Sequence, residues 1–252
     1  MDEEVGRVLG ALRAAGMEND TVIVLAGDHG WSRGNNNEWA KHTNFHAAVH
    51  STLLVVDPAA PGSRRGVRTA AFAELIDLYP TIVDLLDLPV PGLCPENSTD
   101  IQACVEGVSL RPVLESEAFD GTKEQEDVGV AAEDLHGRRS AGPVAGGVLA
   151  APGTGLVWKN ATFSQWPKSD VMGYSIRTDT WRYTRWVVFD GHTYRANWTH
   201  VRGEELYDQA TDPYELRNQA GDPDLAQQKA QLYNQLRLGW RAAMPRATEF
   251  SV

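Results

Sequence analysis

The run Thr21–Leu25 stops at Ala26-Gly27 and gives way to Asp28-His29-Gly30-Trp31. No other stretch limits so strongly what this chain can fold into. Five β-branched or aliphatic residues in a row read as a buried strand. Where such a strand opens into a Gly/Asn-rich loop, a carboxylate, an imidazole and an indole are delivered together. In α/β sheets, ligands bind off the carboxyl ends of strands. Lys41 ends the same loop with a cation able to fold back over the strand end. An Asp-His-Gly can also be an ordinary turn, in which Asp caps, Gly takes a positive φ and His packs. The flanking segments have to decide between the two.

Upstream, Val5, Val8, Leu9 and Leu12 recur at helical spacing, so Asp2–Met17 is expected as an amphipathic helix stopped at Gly16. Downstream, Ser51–Val56 reads as a second buried strand. Phe72, Leu75, Ile76, Tyr79, Ile82, Val83 and Leu86 make a helical stripe; Pro80 falls inside it, so a kink or restart is expected near Tyr79. His42, His46 and His50 are spaced by four. On a helix they would share a face that zinc could use, although the segment must also feed the next strand.

The formal net charge of −11 argues against a nucleic-acid binder, which needs a basic face. The chain has no apolar run of the roughly 18 residues that a membrane helix needs, so no membrane partner is expected. Four Asn-x-Ser/Thr acceptors stand at Asn19, Asn97, Asn160 and Asn197. Cys94 and Cys104, the only cysteines, flank a Pro/Asn/Ser/Thr-rich loop and are either a short-loop disulfide or two free thiols. These are secretory marks, yet MDEEVGRVLG has neither the basic start nor the apolar core of a signal peptide. The expectation is that the front of the protein lies upstream.

Composition divides the chain into 1–114, an acidic and Gly-rich linker or insertion over 115–157, and 158–252. Residues 115–134 hold eight acids against one Lys, which favours a solvated surface over a binding site. Six of the eight Trp follow residue 157. There GYSIRTDTWRYTRWVV alternates in β fashion about a turn at Thr178-Asp179, and Leu225–Met244 has helical periodicity. This last part reads as a small α+β subdomain with an antiparallel sheet.

Three blocks in order resemble the sulfatases of iduronate-2-sulfatase type: Asp28–Phe45 with its DHGW and EWAK; LYPTIVDLL at 78–86; and FSQWP, MGYSIRT, WRYTRW and ELYDQATDPYELRN between Phe163 and Asn218. The resemblance implies an α/β, alkaline-phosphatase-like parallel sheet flanked by helices, present here in part, followed by the C-terminal subdomain. It implies hydrolysis of sulfate monoesters on glycosaminoglycan-like sugars. It also implies one calcium ion held with the help of Asp28 and His29, and Lys41 as the catalytic cation on the sulfate. Trp31 and His50 are expected beside the sugar, and Cys94 and Cys104 as a disulfide. His42 and His46 stand where related sequences have other residues. The family's formylglycine arises from a Cys-x-Pro-Ser-Arg motif, which Cys94-Pro95-Glu96 does not match. The chain is therefore expected to be the C-terminal half of a lysosomal or extracellular enzyme, inactive alone, with the N-terminal half as its partner. Two other readings stay open: a metal-dependent phosphatase or phosphodiesterase of the same superfamily, and a non-catalytic module binding sulfated carbohydrate.

Overall fold

The computed structural model describes residues 1–60, 66–96, 103–116, 150–151 and 156–247. Most of the expected linker 115–157, and the acceptor Asn97, lie outside the described residues. In chain order the elements are α1 (Asp2–Ala14), β1 (Ile23–Ala26), β2 (Ser32–Arg33), β3 (Trp39–Ala40), α2 (His46–Val49), β4 (Leu53–Val56), α3 (Leu78–Leu85) and α4 (Arg111–Glu115). Then follow β5 (Ala150–Ala151), β6 (Leu156–Val157), β7 (Ala161–Lys168), β8 (Val171–Thr178), β9 (Trp181–Asp190), β10 (Arg195–Asp208), α5 (Ala226–Leu238) and β11 (Arg246–Ala247).

The chain forms two compact units, and they cut across the boundaries expected from composition. One comprises Met1–Gly27, Thr52–Thr69 and Glu74–Asp127. The other comprises Asp28–Ser51, Ala70–Ala73 and Val128–Val252. The whole Asp28–Lys41 loop thus belongs with the C-terminal sheet.

In the first unit α1 carries Asp2, Glu3 and Glu4 in its first turn and Arg13 in its last, as the helix dipole favours. Gly16, at φ +72°, ends it, and the Met17 N–H returns to the Leu12 carbonyl at 3.2 Å. β1 pairs with β4 antiparallel, from Ile23 opposite Val56 to Ala26 opposite Leu53. The expected parallel neighbours are not found among the described residues. The reason is local: the Gly27 N–H donates to the Thr52 carbonyl at 2.9 Å, so the chain leaves β1 and re-enters β4 at one point, which no crossover connection does. Neither strand is fully buried, and Leu25, Leu54 and Val56 are exposed.

Of the kink or restart expected near Tyr79, the restart is found, at Leu78, and Pro80 causes no kink. A 3₁₀ turn over Leu75–Asp77 precedes α3, and Pro80 falls in the first helical turn, where its missing N–H costs little. The buried Asp77 carboxylate accepts the N–H groups of Glu74 (2.8 Å) and Val108 (2.9 Å). Thr81 Oγ1 accepts the Leu110 N–H at 2.9 Å, so residues 107–111 are stitched to α3. Cys94 and Cys104 form the expected disulfide, with Cα atoms 4.8 Å apart. Main-chain bonds from Cys94 N–H to the Val105 carbonyl and from Val105 N–H to the Gly92 carbonyl flank it.

In the second unit β7, β8, β9 and β10 form an antiparallel meander, with the expected hairpin turn held by Thr178 Oγ1 accepting the Trp181 N–H at 3.1 Å. Inward positions of these strands, chiefly Ala161, Ile176, Tyr183 and Leu206, pack on Leu232 and Leu236 of α5. That helix ends at Gly239 (φ +77°), earlier than periodicity predicts, and continues as a 3₁₀ turn over Trp240–Ala243. Among the described residues no helix is long and apolar enough to cross a membrane.

Candidate functional site

Residues 28–45 leave the sheet architecture to make a short hairpin, β2–β3, with Ser32 opposite Ala40 and Arg33 opposite Trp39. Its tip, Gly34-Asn35-Asn36-Asn37, needs left-handed backbone, and Asn36 (φ +56°) and Asn37 (φ +58°) are residues that tolerate it. Ala40 also sits at φ +72°, a conformation that costs a residue with a Cβ about 1–2 kcal/mol. It immediately precedes Lys41. Gly30 has a different reason from the turn geometry expected. A Cβ there would lie 2.2 Å from the Ala47 carbonyl oxygen and 2.5 Å from that of His50, so only glycine lets the loop pass against α2.

The loop brings Asp28, His29 and Lys41 together. His29 Nδ1 is 2.8 Å from the Gly30 carbonyl oxygen, which can only accept, so this nitrogen carries the proton. Nε2 is then the lone-pair nitrogen, and it accepts from the Lys41 ammonium at 2.6 Å. Asp28 Oδ2 lies 3.2 Å from the same Nε2, on a side chain 85% exposed, and Asp28 Oδ1 accepts the His29 N–H at 3.1 Å. The three line a cleft of about 360 Å³ whose other walls include Asn44, Gln165 and Trp166.

Asn44, Gln165 and Trp166 are the residues that sequence reasoning missed. Asn44 is buried, donates Nδ2–H to the Gly173 carbonyl at 2.9 Å and accepts from Ser164 Oγ at 3.0 Å. A polar residue between Thr43 and Phe45 was the one available signal, and the FSQWP run already stood out as a family block.

Other expected residues are placed elsewhere. Trp31 is 55% exposed, with its ring 5.9 Å from that of His29, beside the cleft and not in its wall. His50 does not line the cleft; its ring stacks on His46 at 4.6 Å. α2 spans only four residues, and His42 lies against Trp166 with ring centroids 5.2 Å apart, so the three histidines do not share a helix face. Burial first, then the charges of His50, Arg177 and Arg182, lowers the His46 pKa to about 4.

Behind Phe45 lies a buried ion pair. Arg182 and Glu215 are each 1% exposed and bonded to one another, and the Arg182 guanidinium lies over the rings of Phe45 (5.3 Å) and Tyr207 (5.6 Å). Glu215 also accepts from the His46 N–H at 2.7 Å and Gln209 Nε2 at 2.8 Å. Burial pushes the Glu215 carboxyl up, with Arg182 pulling it back.

Calcium takes roughly six to eight oxygen ligands. Among the described residues no group of three or more His, Cys, Asp or Glu converges. Asp28, a solvent-facing carboxylate, suits one place in such a shell. His29 does not, because the Gly30 carbonyl and the Lys41 ammonium engage both ring nitrogens. These residues alone do not form a calcium site.

A family model described as Sulfatase matches residues 1–88. Iduronate 2-sulfatase of Mus musculus is 31% identical over 251 residues, covering 88% of this chain and 42% of the relative. N-sulphoglucosamine sulphohydrolase of Homo sapiens is 31% identical, covering 94% and 44%. A protein solved with its substrate D-glucosamine-2-N,6-O-disulfate superposes with a TM-score of 0.62 at 22% identity, over 94% of this chain and 37% of that one. The phosphonate monoester hydrolase of Agrobacterium radiobacter gives 0.62 at 23%, over 98% and 40%. The chain thus spans less than half the length of these relatives. The superpositions establish the fold, α/β of the alkaline-phosphatase-like class.

Proposed function

Because this chain belongs to the sulfatase family, we propose that its Asp28–Lys41 loop is the anion-binding part of an enzyme hydrolysing sulfate monoesters on sulfated sugars, of iduronate-2-sulfatase type. The observation that carries this reading is the 2.6 Å contact of Lys41 Nζ with His29 Nε2 at the wall of the cleft. Hydrolysis moves negative charge onto the sulfate oxygens and the leaving alkoxide, and fixed cationic charge is the largest aid an enzyme can supply there. In this reading Lys41 contacts a sulfate oxygen. His29 holds the ammonium in place through a lone pair whose direction Gly30 sets. Trp31 offers an exposed ring face to the pyranose. Asp28 gives one carboxylate to a calcium ion whose other oxygens come from a complementary polypeptide, and the bound cation would neutralise further sulfate charge.

None of the residues lining the cleft is a cysteine, and Cys94 and Cys104 are bonded to one another. We read the chain as supplying the C-terminal part of the active site, with the formylglycine on the complementary N-terminal half. An oxidising, secretory setting suits the Cys94–Cys104 disulfide and the exposed acceptors Asn19, Asn160 and Asn197.

The test is hydrolysis of paired aryl sulfate and aryl phosphate substrates by the chain alone and after combination with a polypeptide bearing a Cys-x-Pro-Ser-Arg segment. Sulfate release only in combination, abolished by Lys41→Ala, is expected. Release by the chain alone sinks the division of the site. Phosphate release in preference to sulfate moves the chain to a phosphatase, and sulfated-sugar binding without any turnover moves it to a binding module.

A further inference from the structure

A second cleft, of about 490 Å³, opens on the other flank of the Thr43–His46 segment. Asn44 lines the first cleft and its neighbour Phe45 the second, as successive side chains of extended backbone must. Its floor is aromatic: Phe45 and Tyr207 meet edge to face at 5.9 Å, backed by the Arg182 guanidinium. Its walls are amide-rich, from Asn35, Asn37 and Asn218, with Leu216 at the edge.

The polar groups divide into those already used and those still free. Asn218 uses its amide oxygen on the N–H groups of Leu206 (3.0 Å) and Ala220 (2.9 Å) and donates to the Glu204 carbonyl (3.0 Å). Glu215 lines the cleft, but both carboxylate oxygens are occupied by Gln209, His46 and Arg182. The side chains of Asn35 and Asn37 have no hydrogen-bond partner among the described residues, nor does the hydroxyl of Tyr207, a residue only 4% exposed. Tyr207 lines the cleft, and its hydroxyl is not among the buried unpaired side-chain atoms, so it stays open to the cleft for a partner. The cleft therefore offers two amides and a phenol over an apolar floor, with no cation among its lining residues and no carboxylate left unpaired. That set matches an uncharged ring carrying vicinal hydroxyls. It does not match a sulfate or a metal ion. The size falls in the roughly 300–1,000 Å³ range of small-molecule sites.

From this we infer that the Phe45–Tyr207 cleft is a second carbohydrate site, which takes an uncharged pyranose and is separated from the sulfate site by the segment Thr43–His46. The inference rests on the reading of the substrate as a sugar, and it adds that the protein engages a glycan at two points with opposite charge requirements. The sulfated ring is held by Lys41, and an unsulfated ring is held by amides and aromatic faces.

The test is a ¹⁵N-correlation NMR titration of the full chain, first with methyl N-acetylglucosaminide and then with sodium sulfate. The sugar is expected to shift the resonances of Asn35, Asn37, Phe45 and Tyr207. Tyr207→Phe, which keeps the ring, and Asn37→Ala, at an exposed position, should each weaken binding about fivefold, as loss of one hydrogen bond does. Sulfate should shift His29 and Lys41 and leave the second cleft unchanged. Sugar shifts absent from the second cleft, or unaffected by both variants, overturn the inference even where sulfate binds at Lys41. Sugar binding in the cleft with no sulfate response at Lys41 upholds it while removing the proposed function.

Discussion

The main-chain N–H of His46 donates to the carboxylate of Glu215 at 2.7 Å, across 169 residues of sequence. Together with the Asn44 contact to Gly173 and Asn36 Nδ2–H on the Glu215 carbonyl, it ties the loop that carries Lys41 to the C-terminal sheet and the turn after it. The geometry at Lys41 is thus borrowed from residues far beyond the motif that announces it.

Glu215→Gln keeps the shape of that anchor and removes its charge, leaving the Arg182 guanidinium buried and uncompensated. Breaking a buried pair on one side costs about 3–5 kcal/mol. A urea midpoint lowered with unchanged slope is the expected result; an unchanged midpoint would show that the pair contributes nothing net.

His46 makes stability depend on pH. Its folded pKa, about 4, lies below the ordinary 6.5, so the unfolded chain binds a proton first as pH falls. The contribution is complete above about pH 6.5 and is lost progressively down to about pH 4, by no more than about 3 kcal/mol. His50, Arg177 and Arg182 face the ring and oppose its protonation. Urea unfolding between these limits should show the slope in the parent chain and a flatter profile in His46→Asn.

Lys41→Ala should weaken binding of a sulfated monosaccharide by roughly 10–100-fold, the worth of a hydrogen bond to a charged group. Ala40→Gly tests whether the left-handed backbone beside it matters. Glycine relieves the strain at φ +72° and should leave stability equal or raise it by up to about 1 kcal/mol. If the strain serves to aim Lys41, sulfate affinity falls in the same variant. Isothermal calorimetry on both variants decides.

Replacing Cys94 and Cys104 by Ser opens a loop with a sequence separation of 10 and should cost about 3 kcal/mol in the first unit. Hydrogen exchange at α3 is the suitable readout. Tryptophan fluorescence is not, because all eight Trp belong to the other unit. Equal protection with and without the bridge would show that the main-chain bonds around Val105 suffice.

Local chemistry made much of this legible. Gly16 stops α1, Thr178-Asp179 turns the hairpin, the cysteines pair, and a strand does run into Asp28. What could not be read was long-range pairing. Nothing near Ile23 indicates that Val56 lies antiparallel beside it, since that follows from where the chain re-enters. Nothing in KHTNFH names Gly173, Ser164 and Glu215 as its partners. Periodicity brings His46 and His50 together but misplaced His42, because a spacing of four implies one face only as far as the helix runs, and α2 begins at His46.

The sequence separation of 169 from His46 to Glu215 also sets a schedule. At a synthesis rate of roughly 5–20 residues per second, the Lys41 segment waits about 10–30 seconds before its last anchor leaves the ribosome. For most of that interval Phe45 lacks both Tyr207 and the Arg182 guanidinium that later cover it. A nascent chain of this protein therefore carries Phe45 without its later cover until the C-terminal strands emerge, and a factor that guards unfinished polypeptides can meet it in that interval.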